Sequence, residues 1–302
     1  MLDQVVKVVN FVVARAKNTR LFTILCDEMG SAHSHLLMYT AVRWLSRGKV
    51  LNRIFELRHE VHLFLLDSSP DLANYFEDEM WLKRVAYLAD IFSQLNKTNL
   101  ELQGQHVNPF QLKSKIEAFK RKLSHLANDL DKNDFSYLPQ LRDFIEDAEL
   151  TVSKSLTAEI KSHCSELATE LSKYFPEEYS SKQWIANPFH DDLGAYNLSF
   201  EERDELINLS CDSTLKTYFK TTSLEKFWCC QETEYPKLSV RAIKFLLPFT
   251  STYSCEVGFS SMIYLKNKYR NRSAITYMRL RLKKFSPRII MLLEQKQAHP
   301  SH

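Results

Sequence analysis

Glycine is scarce in this chain, with five residues among 302, and no other compositional feature limits the fold as strongly. Tight turns between strands and phosphate-binding loops use glycine because it adopts positive φ without steric cost. The scarcity therefore argues against a turn-rich all-β fold and against a glycine-rich phosphate site. With 44% hydrophobic and 25% charged residues, the chain has the composition of a globular protein.

Apolar residues recur every three to four positions along most of the chain, which predicts amphipathic helices. The clearest example is a seam of Ile116, Phe119, Leu123, Leu126 and Leu130, which is too short for a long coiled coil and is typical of a helix in a bundle. The predicted helices cover residues 2–17, 21–28, 50–66, 71–102 with a break near 78–80, 138–174 as one long helix or two, 200–219 and 224–233. Two consecutive helices are predicted in the C-terminal stretch, one that stops at Pro248 and a second capped at 250–252.

Residues 34–44 are the best candidate for a strand. They contain a short apolar run with aromatic and β-branched members near its end, including Tyr39, Thr40 and Val42. The run leads into Arg43 and Trp44. From the residues alone we interpret Trp44 as a core aromatic at a strand–helix junction, whereas the family resemblance that follows implies a ring that stacks on a nucleic-acid base.

The segment 235–288 is apolar and strongly basic at once. From Lys237 to Arg288 it carries twelve Lys or Arg residues and one acid, Glu256, so its net charge is +11. The rest of the chain has 28 basic and 36 acidic residues, a net charge of −8. This asymmetry predicts either a surface for nucleic acid or another acidic partner, or a basic face that docks on the acidic body of the same protein.

Several motifs of this segment, in one order, resemble the C-terminal dimerisation region of hAT-family transposases. They are Tyr235-Pro236, Leu238-Ser239, Leu247-Pro248, Ser254-Cys255-Glu256, Phe259-Ser260 and Arg270-Asn271-Arg272. The chain is most similar to domesticated relatives, namely the BED zinc-finger, SCAN-domain-containing and general transcription factor II-I repeat-domain proteins. Residues 40–48, 184–189 and 298–302 extend the likeness along nearly the whole chain.

The resemblance implies a mainly α fold, a helical insertion domain plus a remnant of an RNase H-like core with at most a few strands. It divides the chain into a core remnant with the Arg-Trp motif at 1–48, the helical insertion domain at 49–200 and the dimerisation region at 201–302. It also implies a nuclear location.

The same resemblance bears on catalysis. Active hAT transposases hold two divalent metal ions with two aspartates and one glutamate. Glu256 matches the glutamate, but before Trp44 this sequence offers only Asp3 and Asp27, both in helical contexts. We therefore expect Glu256 to be vestigial and the chain not to be an enzyme, with no cofactor and no small-molecule substrate.

Two sets of interaction residues follow. The first set is expected to mediate dimerisation, and it comprises Tyr235, Pro236, Leu238, Phe245, Leu247, Tyr253 and Phe259. The second set is expected to contact nucleic acid, and it comprises Arg43, Trp44, Lys266, Lys268, Arg270 and Arg272.

Cysteine and histidine patterns favour no metal site. The six cysteines include no CxxC pair, which is typical of reduced thiols. His59 and His62 have helical spacing but no accompanying ligands, so we expect surface or packing roles. No apolar run approaches the length that crosses a bilayer.

Three hypotheses for function remain, in this order. The chain is a non-catalytic protein that self-associates as a homodimer through 235–288. Alternatively, the basic stretch binds nucleic acid without sequence preference, with DNA as the partner. The third hypothesis is a decayed transposon fragment without a function.

Overall fold

The computed structural model describes residues 1–38, 44–103, 107–174, 180–190, 197–247 and 258–263. This part of the chain is mainly helical, as predicted, and it contains no strand. Its helices are α1 Leu2–Val13, α2 Ala16–Glu28, α3 Trp44–Glu56, α4 Arg58–Ser68, α5 Pro70–Glu77, α6 Glu79–Leu102, α7 Pro109–Asp129, α8 Pro139–Asp147, α9 Lys154–Tyr174, α10 Gln183–Ala186, α11 Phe200–Cys211, α12 Ser213–Thr221, α13 Leu224–Cys230 and α14 Pro236–Leu246. Residues 258–263 are also helical.

Side-chain caps fix where several helices begin. The Asp78 carboxylate accepts hydrogen bonds from the backbone N–H groups of Met80 and Trp81, at 2.8 and 3.2 Å, and so separates α5 from α6. Asn108 and Ser199 form capping boxes at the start of α7 and α11. Such caps satisfy backbone N–H groups that lack a partner in the first helical turn.

The helices from α1 to α9 share one hydrophobic core, cluster 1, which contains buried side chains from Val5 to Cys164. The predicted seam of α7 faces this core, and all five of its side chains are at most 3% exposed. The indole N–H of Trp81 on α6 donates to the side-chain oxygen of Gln4 on α1, at 3.0 Å. Residues 1–38 therefore pack on the same core as α3 to α9.

Helix α6 is the central helix of cluster 1, and α3 runs antiparallel to it. Asn52 donates to Ser93 Oγ at 2.9 Å, and Gly48, one turn earlier, lies against Phe92 and Asn96. A Cβ at Gly48 would come within 3.2 Å of Phe92 Cβ, so the close approach of the two helices depends on glycine.

The start of α8 is held by a buried carboxylate on α6. Asp90 is 3% exposed and accepts backbone hydrogen bonds from Gln140 and Leu141, both at 3.1 Å. Burial raises the pKa of Asp90 from 3.8 to about 6, although these two hydrogen bonds act in the opposite direction.

The expected strand has no counterpart in the described part of the chain. Residues 34–38 form no strand, Trp44 already begins α3, and residues 39–43 lie outside the described residues. Since no other strand is present among the described residues, a strand here would have an unpaired edge, which is unfavourable.

Three predicted helices are each divided in the structure, and one of them is the helix predicted at 200–219, because α11 ends at Cys211 and α12 begins at Ser213. The helix predicted at 2–17 ends at Val13 and α2 begins at Ala16, while the helix predicted at 50–66 breaks at Leu57. Leu57 is 1% exposed and leaves helical geometry with φ −91° and ψ 24°. Among the described helices, none is long and apolar enough to cross a membrane.

Candidate self-association surface

A second core, cluster 2, holds the C-terminal helices together. Its centre is an edge-to-face pair of Trp184 and Trp228, with ring centroids 5.4 Å apart and both side chains fully buried. The indole N–H of Trp228 donates to the Ile185 carbonyl at 2.9 Å. Ser239 on α14 donates to the Trp228 carbonyl at 2.7 Å, so α14 is anchored directly to the middle of this core.

The first turns of α14 are also tied to the acidic start of α11. Lys237 Nζ lies 2.9 Å from a carboxylate oxygen of Glu201, and Arg241 pairs with Glu202. Glu205 accepts the backbone N–H of Leu238 at 3.0 Å. Two basic residues of the 237–288 stretch thus pair within the chain.

These ion pairs contribute little to stability by themselves. The Lys237 and Glu201 side chains are 50% and 67% exposed, and exposed pairs are worth at most about 1 kcal/mol. The Arg241–Glu202 pair is more buried, and Arg241 also donates to the Asn197 carbonyl at 2.6 Å. The pairs therefore mainly set the register between α11 and α14.

The residues expected to mediate dimerisation fall into two groups. Tyr235 and Leu238 are 7% and 0% exposed, because they belong to cluster 2, and Phe245 lies partly buried against Phe110 of α7 with centroids 5.4 Å apart. These side chains therefore belong to the core on which α14 packs, and not to the exposed surface. Burial, together with the nearby carboxylates of Glu234, Asp212 and Glu205, raises the pKa of Tyr235.

The other members of this set reach the surface. Pro236 is exposed at the first position of α14, Leu247 is 71% exposed at its end, and Phe259 is 62% exposed. Tyr253 lies outside the described residues. Exposed large apolar side chains near one another in a chain indicate a contact surface.

Further exposed apolar residues were missed in the sequence. Val240 on α14 and Ile207 on α11 are 43% and 42% exposed, and Phe200, the first residue of α11, is 86% exposed. A signal for α11 does exist in the sequence. The capping box of Ser199 and Glu202 fixes where the helix begins, and helical spacing then places Phe200 and Ile207 on one face.

Most residues expected to contact nucleic acid lie outside the described residues. This is true of Arg43, Lys266, Lys268, Arg270 and Arg272, and of the side chain of Trp44.

The described surroundings of Trp44 carry exposed lysines and one exposed acid, Glu101. Because α3 and α6 are antiparallel, the start of α3 lies beside the end of α6, where Lys97 and Leu100 are exposed. Lys49 on α3 is exposed at the same end. A groove of about 530 Å³ runs there, with Asn52, Lys97 and Leu100 among its lining residues.

The residues considered for metal chemistry are not gathered into a site among the described residues. Glu256 lies outside the described residues. His59 is exposed, and His62 stacks on Phe76 with its Nε2 3.4 Å from Glu77 Oε1. Within the described ranges, no three His, Cys, Asp or Glu side chains lie close enough to hold a metal ion.

Comparison with known proteins assigns the first part of the chain. Residues 1–131 match the family model FAM200-GTF2IRD2-like, described as the FAM200/GTF2IRD2 helical domain, which indicates a family related to domesticated transposases. No solved structure matches the chain. The matched segment runs from α1 through α7 and so covers most of cluster 1. Residues 1–131 are therefore similar to the FAM200/GTF2IRD2 helical domain.

Proposed function

We propose that this chain is a non-catalytic, transposase-derived protein of hAT origin that self-associates through its C-terminal region. The observation that carries the proposal is the exposure of Leu247 at the end of α14, a helix that is itself firmly packed on cluster 2. An apolar side chain on a rigid element loses little conformational freedom on binding, so its burial between two copies is favourable.

The test uses single substitutions rather than removal of the C-terminal region. A truncation before Tyr235 removes the buried Leu238 side chain from cluster 2. It also removes the hydrogen bond from Ser239 to the Trp228 carbonyl, so it would change the fold as well as the surface. Leu247→Asp and Phe259→Asp place a charge at exposed positions and leave cluster 2 intact. Leu21→Asp on α2, which is 47% exposed, is a matched control.

Light scattering on the purified chains reads the result. We expect the intact chain and the Leu21→Asp control to be dimers, and Leu247→Asp and Phe259→Asp to shift toward monomers with unchanged circular dichroism. If both C-terminal variants keep the mass of the intact dimer, the interface lies elsewhere and this part of the proposal is wrong.

The proposed lack of catalysis has its own test. One carboxylate cannot position two metal ions, so we expect no cleavage of a DNA hairpin in the presence of magnesium. Cleavage that is abolished by Glu256→Gln would show that the chain is a nuclease.

A second candidate function is nucleic-acid binding at the basic end of the helical domain. The observation in its favour is the antiparallel packing of α3 and α6, which brings Lys49 and Lys97 to the end where α3 begins at Trp44. Lysines that neutralise phosphates make binding salt-dependent, and two contacts predict a loss of about tenfold in affinity for a fourfold increase in salt.

Titration of a fluorescent DNA oligonucleotide tests this candidate. Lys49→Ala and Lys97→Ala should weaken binding and reduce its salt dependence, whereas Lys154→Ala, an exposed lysine at the start of α9, should change neither. Affinity that is independent of salt would rule out this mode of binding.

A further inference from the structure

A cleft of about 490 Å³ lies between α6 and α9. Two contacts join the helices there. The Arg84 guanidinium forms a bidentate ion pair with Glu159, and the Tyr87 hydroxyl lies 2.8 Å from His163 Nδ1. The volume of the cleft lies in the range of about 300–1,000 Å³ that is typical of small-molecule sites.

The buried part of the lining is apolar and carries no charge. Leu156, Ile160 and Tyr87 are 1%, 0% and 5% exposed, and Met1 and Leu88 add further apolar side chains. A mainly apolar lining with a small number of polar groups is typical of sites that bind small molecules.

The charged residues of the cleft reach solvent. The side chains of Arg84 and Glu159 are 37% and 52% exposed and pair with each other. Glu166 is exposed and accepts a hydrogen bond from Ser162 Oγ at 2.9 Å. A charged ligand group in the inner part of the cleft would lose its hydration without meeting an opposite charge, which is unfavourable. The cleft therefore favours a ligand whose buried part is uncharged.

His163 supplies a polar atom that can orient such a ligand. Burial raises the pKa of Tyr87, so its hydroxyl stays protonated, and its shorter contact is with His163 Nδ1, whereas Cys164 Sγ is 3.8 Å away. When Nδ1 of a neutral imidazole accepts a hydrogen bond, the ring proton is on Nε2. In the described part of the chain this N–H has no acceptor, so it can donate to an oxygen of a ligand.

We propose that the cleft between α6 and α9 binds a neutral, largely apolar small molecule that carries one hydroxyl or carbonyl oxygen. Its apolar part packs against Leu156, Ile160 and the ring of Tyr87, and its oxygen accepts the hydrogen bond from His163 Nε2. This site does not depend on the proposed self-association.

Equilibrium titration of the full chain with 2-naphthol, an apolar double ring with one hydroxyl, tests the proposal. We expect saturable binding of one molecule per chain. Leu88→Trp fills the cleft from a partly buried position and should abolish binding, and the smaller change Leu88→Phe should weaken it. Leu63→Trp, at a position on α4 that is 46% exposed and outside the cleft, should leave the Kd unchanged.

The role of His163 has a separate readout. His163→Phe keeps a ring of similar size but removes the Nε2 donor, so it should raise the Kd for 2-naphthol about threefold to tenfold. Naphthalene, which lacks the hydroxyl, should bind this variant and the unchanged chain equally. Circular dichroism verifies that each variant is folded.

Three results would overturn the inference. If 2-naphthol does not bind, or if its Kd is the same in the two Leu88 variants as in the unchanged chain, the cleft is not a site for this class of ligand. If His163→Phe weakens naphthalene as much as 2-naphthol, His163 acts only through packing and the assigned hydrogen bond is wrong.

Discussion

Burial and hydrogen bonding shift the pKa of Asp90 in opposite directions, and the pH dependence of stability shows which of the two effects is larger. Its carboxylate is 3% exposed, which penalises the charged form, but it also accepts two backbone hydrogen bonds from the start of α8, which favour that form. Burial is the larger effect and raises the pKa of Asp90 from 3.8 to about 6.

The sign follows from linkage between protonation and folding. Because the pKa in the folded state lies above 3.8, the folded chain binds more protons than the unfolded chain between the two values. The contribution of this group to stability is therefore fully present below pH 3.8 and is lost as the pH rises through about 6. A shift from 3.8 to about 6 corresponds to about 3 kcal/mol at its full extent.

The comparison of the unchanged chain with Asp90→Asn isolates this effect, since asparagine does not titrate. Urea unfolding followed by circular dichroism at a series of pH values gives the difference in free energy of unfolding between the two. As the pH falls from 7 toward 4, this difference should change in favour of the unchanged chain by up to about 3 kcal/mol. Asp67→Asn, an exposed carboxylate near the end of α4, serves as the control.

Two other results of the pH series would contradict this assignment of Asp90. If the difference moves in favour of Asp90→Asn as the pH falls, the two N–H donors outweigh burial and Asp90 is stabilised as an anion. A difference that does not vary with pH would mean that Asp90 is solvated in the folded chain, which contradicts its burial.

Three further predictions follow from the packing. Gly48→Val should destabilise the chain by about 2 kcal/mol in thermal unfolding, because the new Cβ would lie 3.2 Å from Phe92 Cβ and crowd α6. An unchanged melting temperature would mean that α3 and α6 can separate. Trp228→Phe removes the buried indole hydrogen bond at 2.9 Å and should cost about 1–3 kcal/mol, whereas a smaller cost would show that water replaces it. Burial raises the pKa of the Cys26 thiol to about 11, and Cys211 is exposed. A maleimide should therefore modify Cys211 in the folded chain and Cys26 only after unfolding. Equal labelling of the two cysteines in the folded chain, measured by mass spectrometry, would contradict this.

The sequence was sufficient to predict the helical class and much of the core, because the signals involved are local. The seam from Ile116 to Leu130 is buried as its spacing predicts, and the break near Asp78 coincides with a carboxylate that caps α6. Scarce glycine and the 3.6-residue period do not depend on how helices are arranged in space.

Other boundaries depend on tertiary packing and could not be found this way. The break at Leu57 has no proline or glycine, and it coincides with the Arg58 guanidinium lying 4.8 Å from the ring centroid of Phe55 and 5.4 Å from that of Phe144. Phe144 lies on α8, almost ninety residues later in the chain. Such contacts override local propensity and leave no pattern in the sequence near the break.

The candidate surface was predicted only in part, for a related reason. Motif resemblance singles out residues without separating those that fill the core from those that face solvent. Tyr235 and Leu238 lie in cluster 2, while Leu247 lies outside it.

The molar mass of the intact chain as a function of concentration tests the central claim most directly. Sedimentation equilibrium should give twice 35.4 kDa at high concentration and approach 35.4 kDa on dilution, as a reversible dimer requires. A mass of 35.4 kDa at every concentration at which the chain stays soluble would contradict self-association. In that case, a nucleic-acid role for the basic end of the helical domain would take precedence.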